Sequence, residues 1–208
     1  MSLISCLCVT KNKPEFFSQA IDDFKKQTYT DKELVLVTDE KNPYLSDLQK
    51  YACDNIRVVT APHASPIGKL RAISVENAKG EYVATWDDDD THHKDRLFAQ
   101  HHYIKKRNAE ACYLKRVLMH DMMTGEKGIS KNTNGCCNTM LALKETLPEY
   151  NHSTRICEDM PIRAYHMENK KAVVVNEPQL YIYRLHNVNT VSLERGRDYH
   201  RRLIDVVI

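Results

Sequence analysis

The first half of the chain alternates between two hydrophobic rhythms. Short apolar runs of strand length at Ile4–Val9, Leu34–Val37, Ile56–Thr60 and Tyr82–Trp86 are separated by segments of helical period. In Pro14–Gln27 the apolar residues Phe17, Ala20, Ile21 and Phe24 recur on one helix face, and Pro14 falls in the first turn, where its missing N–H leaves no bond unmade. Leu70–Ala78 predicts a second helix. Apolar strands alternating with helices imply βαβ units, a mostly parallel sheet and right-handed crossovers. The second half is less regular. It predicts a helix over Asp95–Arg107, a strand over Ala111–Leu118, and a hairpin or mobile loop at Met123-Thr124-Gly125 and Lys127-Gly128. Further strands are expected at Thr139–Leu143, Ala172–Val175 and Leu180–Tyr183, and helices at Asp159–Met167 and Val191–Val206. No repeat or Pro/Gly-rich linker divides the chain, so one domain over residues 1–208 is expected.

In open α/β sheets, ligands bind beyond the carboxyl ends of the strands. Thr10-Lys11-Asn12 follows the first strand, Thr38-Asp39 the second and Asp87-Asp88-Asp89-Asp90 the fourth, which places all three on one edge. The acidic run carries the most chemistry. Residues two apart on an extended chain point the same way, so Asp87 and Asp89 share a face. Like charges this close repel, and a hard divalent cation relieves them, because carboxylate oxygens suit Mg²⁺ or Mn²⁺. Magnesium keeps positions for water and phosphate, which leaves room for a diphosphate. The competing account is a solvated acidic turn at the positive end of the following helix. Its place directly after an apolar strand, ahead of Thr91-His92-His93-Lys94-Asp95-Arg96-Leu97, favours the cation.

Composition narrows the classes. With 42% hydrophobic and 28% charged residues in 208, the chain folds as a globular domain rather than remaining disordered. A net charge of +2 demands no polyanionic partner, although Lys105-Lys106-Arg107 and the tail from Arg195 to Arg202 are locally basic, as solvated helix faces or binding patches. The seven cysteines show no C-x-x-C spacing, which disfavours a structural zinc site and favours free, buried thiols; the role of Cys136-Cys137 stays open. No apolar run approaches the roughly 18 residues of a membrane span, and the opening residues lack signal-peptide character, so a cytoplasmic location is expected.

The ordered fragments resemble family 2 glycosyltransferases, the inverting group with the GT-A fold. Val9-Thr10-Lys11-Asn12-Lys13-Pro14 resembles that family's first strand end. The run from Gln27 through Val37 is similar to the segment leading to its nucleotide-binding acidic residue, here Asp39. Gly68-Lys69-Leu70-Arg71 and Asn77-Ala78-Lys79-Gly80-Glu81-Tyr82-Val83 match the stretch before its D-x-D motif, and Trp86 through Leu97 match the motif and the helix behind it. Cys157-Glu158-Asp159 resembles the family's x-E-D, and Tyr183-Arg184-Leu185-His186-Asn187 a late segment whose His or Arg approaches the metal. The family's acidic pair on the second strand reads Thr38-Asp39 here, and the processive Q-x-x-R-W signature is absent.

The resemblance implies a GT-A α/β fold, a nucleotide-sugar half over 1–97 and an acceptor and catalytic-base half over 98–208. Thr10, Asn12 and Asp39 would line the nucleobase pocket, with Asp39 accepting the imide hydrogen of a uracil. Lys69, Arg71, Asp87 and Asp88 would contact ribose or diphosphate, while Asp89, with Asp87 and His186, would bind Mn²⁺ or Mg²⁺. Asp159, seconded by Glu158, would deprotonate the acceptor hydroxyl. The Glu158-Asp159 pair equally suits a helix N-terminus on dipole grounds. A glycan is the default acceptor, and a modified DNA base an alternative. Two other classes compete. A nucleotidyltransferase would carry a Gly-rich basic loop after the first strand, and Thr10-Lys11-Asn12-Lys13 has no glycine. A non-catalytic nucleotide-sugar or nucleic-acid binding module would have no need of both Asp89 and Glu158-Asp159.

Overall fold

A computed structural model describes residues 2–11, 14–131, 134–169 and 171–187. The helix expected over Val191–Val206 and the basic tail lie outside the described residues. The first half runs β1 (Ile4–Thr10), α1 (Pro14–Lys26), β2 (Lys32–Asp39), α2 (Leu45–Gln49), β3 (Ile56–Ala61), α3 (Ile67–Asn77) and β4 (Tyr82–Thr85). Then follow β5 (Thr91–His92), α4 (Arg96–Arg107), β6 (Ala111–Leu114), β7 (Leu118–Asp121), β8 (Lys127–Ile129), β9 (Leu141–Leu143), α5 (Met160–Glu168), β10 (Ala172–Val175) and β11 (Tyr181–Leu185). The expected elements recur with ends shifted by a few residues.

The central strands are mostly apolar and buried at nearly every position because the sheet is covered on both faces. Alternation deals their side chains to two cores. Ile4, Cys6, Cys8, Leu34, Leu36, Tyr82 and Ala84 join Phe17, Ile21, Phe24 and Trp86 on one side. Leu7, Val9, Val35, Val37 and Val83 pack with Leu70 and Ala72 of α3 on the other. The predicted face of α1 is wholly buried, each large apolar side chain contributing roughly 1.5–3 kcal/mol. Lys25 and Lys26 in its last turn suit the helix dipole, and α4 ends on Asn108 in the left-handed region (φ 48°).

The main sheet has seven strands in the order β10-β6-β9-β4-β1-β2-β3. β1 is parallel to β2 and β4, β2 to β3, and β10 to β6, while β9 runs antiparallel to both β4 and β6. Both halves of the chain therefore share one sheet. The strand expected over Ala111–Leu118 is in fact two. Its apolar run is interrupted by Lys115 and Arg116, the chain leaves the main sheet after Leu114, and β7 enters a second sheet ordered β5-β11-β7-β8. The turn signals at residues 123–128 make the β7–β8 hairpin. The strand expected from Thr139 starts at Leu141, after a 3₁₀ turn over Cys137–Thr139. α2, β5 and β8 went unanticipated because two to five residues carry too few periods to register. All seven cysteines are free; Cys6, Cys8, Cys112 and Cys136 are buried, and burial pushes the Cys6 thiol up to about 12. No described helix is long and apolar enough to cross a membrane.

Candidate active site

The strand order reverses at β1, which has β2 on one side and β4 on the other, and such a switch point opens a crevice at the carboxyl edge. Register places Thr10 opposite Thr38 at that edge. Thr10 is buried, and its carbonyl accepts the Thr38 hydroxyl at 2.7 Å. Thr38 in turn accepts the Asn42 amide at 2.6 Å, so the residue standing where the family has an acid ties two strand ends together. Asp39 faces the β3–α3 loop. Its carboxylate accepts the backbone N–H of Lys41 at 2.9 Å and of Ala64 at 2.8 Å, and meets His63 Nδ1 at 3.0 Å. The Lys41 N–H first, then His63, hold its pKa down to about 2, so it is ionised across the physiological range. Asn12 lies outside the described residues.

The acidic run turns immediately after β4. The indole of Trp86 anchors the turn, donating to the Ala20 carbonyl at 3.0 Å. Asp88 and Asp90 are buried, whereas Asp87 and Asp89 keep 20% and 21% of their side chains exposed. Burial raises the Asp90 carboxyl well above its ordinary range, with Asp89 and Asp87 adding to it. Asp90 accepts the Tyr181 hydroxyl and, at 2.8 Å, the Arg184 backbone N–H. Beneath lies Arg96, fully buried, its guanidinium 5.0 Å from the Tyr181 ring centre and 5.4 Å from that of Trp86. It donates to His92 Nδ1 at 2.6 Å and to the Thr85 carbonyl at 2.9 Å. His92, stacked 3.8 Å from Trp86, is kept neutral first by burial and then by Arg96. With Nδ1 accepting from Arg96, Nε2 carries the proton and donates to the Asp87 carbonyl at 3.0 Å.

Arg71 joins the two acidic motifs. From the buried face of α3 its Nη2 donates to Asp87 at 2.5 Å and its Nε to Glu158 at 3.1 Å. Burial opposes its charge, but Asp87 and Glu158 outweigh that and hold it protonated. Lys69 is half-buried two residues away, about 200° around the helix, and is not brought to these carboxylates. Glu158 is thus committed to Arg71, while Asp159, the residue before α5, makes no side-chain cap bond. Burial pushes the Asp159 carboxyl up to about 6, with Glu158 adding to it and Arg71 opposing. Cys157, just before the pair, is in the left-handed region at φ 55°, uncommon for a residue with a side chain and frequent at functional turns. Tyr150, buried, borders Arg71 and Asp159 electrostatically. Gly68 holds the loop of Asn151 and Thr154 against α3: its N–H donates to the Thr154 carbonyl at 3.0 Å, and an added Cβ would lie 2.0 Å from the Asn151 carbonyl oxygen.

Beside His186 stands Asp89. Its Oδ2 lies 3.2 Å from His186 Nε2, and two ligands at right angles, each about 2.1 Å from an ion, stand about 3 Å apart. Among the described residues no group of three or more His, Cys, Asp or Glu is arranged to hold a metal. The chain offers a two-ligand corner, the arrangement Mg²⁺ tolerates when phosphate and water complete its shell. Asp87, expected there too, is engaged by Arg71. Tyr181, Arg96, His92, Tyr150 and His63 were not anticipated. Arg96 lay within a quoted motif, yet nothing in sequence marks an arginine as buried on aromatic faces.

The sequence profile of Glycosyl transferase family 2 matches residues 5–167. No curated protein matched. Among solved structures, S. aureus TarS 1-349 superimposes with a TM-score of 0.71 at 18% identity, over 88% of this chain and 60% of that one. The same fragment in complex with UDP-GlcNAc gives 0.74 at 17% identity, over 90% and 60%. The chain therefore spans about 60% of the length of that fragment. A profile covering most of the sequence, on a fold shared with TarS, establishes that the chain belongs to glycosyl transferase family 2 and has the GT-A fold.

Proposed function

We propose that the chain transfers a sugar from a uridine diphosphate sugar to an acceptor hydroxyl, that of a glycan by family resemblance, with inversion at the anomeric carbon. The observation that carries this reading is the Arg71 bridge, which draws the acidic strand end and the Glu158-Asp159 pair into one crevice. TarS structures hold UDP and UDP-GlcNAc, which supports a uridine nucleotide. Thr10 and Asp39 receive the base, and Asp87 and Asp88 border the ribose and diphosphate. Asp89 and His186 hold Mn²⁺ or Mg²⁺, which when bound neutralises charge on the leaving diphosphate. Asp159 takes the acceptor proton. Its raised pKa suits a base working near neutrality, and Glu158, fixed to Arg71, keeps it high. Attack opposite the leaving group makes the displacement inverting. In this reading residues 1–97 bind the donor and residues 98–208 supply the base and the acceptor surface.

The test is UDP release from a panel of UDP-sugars with Mn²⁺ and candidate acceptors, wild type against Asp159→Asn. Turnover with at least one sugar, lost in the variant while UDP binding persists, is expected. Equal release by the two proteins with every sugar would defeat the reading.

A further inference from the structure

The carboxylate facing the nucleobase corner is not open. A carboxylate offers about four lone-pair directions. On Asp39 three donors share them: the Lys41 N–H on Oδ1 at 2.9 Å, the Ala64 N–H on Oδ2 at 2.8 Å, and His63 Nδ1 straddling the two oxygens at 3.0 and 3.1 Å. The backbone donors are fixed. The loop carrying Ala64, at φ 59°, is closed by Ser65, whose N–H and hydroxyl reach the Pro62 carbonyl at 3.2 and 2.7 Å. Lys11 Nζ holds the Ser65 carbonyl at 3.2 Å, and the His63 backbone N–H is held by Glu40 at 3.1 Å. The imidazole differs. Its side chain is 54% exposed, so a rotation about its own bonds takes it into solvent without moving the loop.

We propose that His63 is a displaceable stopper of the nucleobase corner: its imidazole holds the acceptor positions on Asp39 that the imide N–H of a uracil would use, and donor binding turns it out. This rests on the reading of Asp39 as the base contact. Two consequences separate it from a generic loop role. A uracil exchanges one hydrogen bond on Asp39 for another, so the His63 contact subtracts from donor affinity. A cytosine presents a lone pair at N3 where uracil presents the imide N–H, and meets Asp39 only through its exocyclic amine, so it gains less from the vacated position.

The experiment is calorimetric titration of UDP and CDP, each with Mn²⁺, into wild type, His63→Ala and Asp39→Ala. Loss of one competing hydrogen bond predicts UDP binding about three- to tenfold tighter in His63→Ala. CDP affinity should rise less than UDP affinity, and an unchanged unfolding temperature reports an intact fold. Weaker UDP binding in His63→Ala would make the imidazole a base contact and overturn the proposal, as would equal changes for UDP and CDP. If UDP binding is lost in Asp39→Ala but unchanged in His63→Ala, the stopper alone fails. If Asp39→Ala binds UDP as wild type does, the assignment of Asp39 fails with it.

Discussion

Replacing Asp159 by Asn keeps the shape of the side chain and removes its charge and its basicity, so stability and activity should move in opposite directions. The carboxyl is raised from 3.8 to about 6, chiefly by burial. At about 1.36 kcal/mol per unit, the fold disfavours the ionised form by up to about 3 kcal/mol, less for a side chain that keeps some solvent contact. Between pH about 4 and 6 the folded protein retains a proton that the unfolded chain has released. Stability from this group therefore falls as pH rises through that window and is lowest above it, opposite to a salt-bridged carboxylate. Asparagine escapes the penalty. At pH 7.5 Asp159→Asn should resist urea better than wild type by about 1–3 kcal/mol, and near pH 4 the gain should vanish. Catalysis needs the ionised base, about nine-tenths populated one unit above its pKa and about one-tenth one unit below. Wild-type kcat/KM should thus fall roughly tenfold from pH 7 to pH 5, and the variant should lose about 10²–10⁴-fold at neutral pH. UDP release across pH 5–8, paired with urea melts at pH 4 and 7.5, reads both. A variant less stable than wild type at pH 7.5, or one keeping a third of its turnover, would refute the assignment.

Arg71→Met leaves Asp87 and Glu158 without their shared cation and should cost about 3–5 kcal/mol in urea denaturation; Arg71→Lys keeps the charge but not the two-pronged reach, and should fall between. Asp89→Asn and His186→Ala should each weaken Mn²⁺-dependent UDP binding by at least about tenfold, measured by calorimetry with and without chelator. Wild-type affinity that ignores the chelator would contradict the ion corner. Gly68→Ala drives a Cβ to within 2.0 Å of a backbone oxygen, and should cost about 1–3 kcal/mol and hasten tryptic cleavage at Arg155.

The first half of the chain was legible in the sequence because its signals are local and repeated. Apolar runs at β1 to β4 alternate with one strong amphipathic helix, and the strand-end rule then points at Thr10, Asp39 and Asp87 without three-dimensional knowledge. What escaped depends on long-range pairing. The break between β6 and β7 follows from membership of different sheets, and the antiparallel β9 inside a parallel sheet has three residues and no local mark of direction. His63 escaped for another reason: it sits in a polar loop where any residue type is tolerated, and its meaning arises only from Asp39, 24 positions earlier.

The second sheet explains how four successive acids are tolerated at one strand end. Left alone, Asp87 to Asp90 would repel one another, and the chain there would relax outward. Instead β5 pairs with β11, setting Tyr181 opposite His92 and Ile182 opposite Thr91. That pairing brings three groups onto the acidic turn: the Tyr181 hydroxyl to Asp90, the Arg184 backbone to Asp90, and the Arg184 Nε to the Asp89 carbonyl at 2.5 Å. Below, Arg96 supplies a cation held by aromatic faces and by His92 rather than by a carboxylate, so the acids are compensated without being sequestered. Asp90 is consumed as structure and Asp87 is tied to Arg71. Asp89 keeps partial exposure and meets buried His186, which arrives one residue past the end of β11. The small sheet thus converts a run of equivalent acids into unequal ones, and its register sets which carboxylates are tied down and which keep solvent contact.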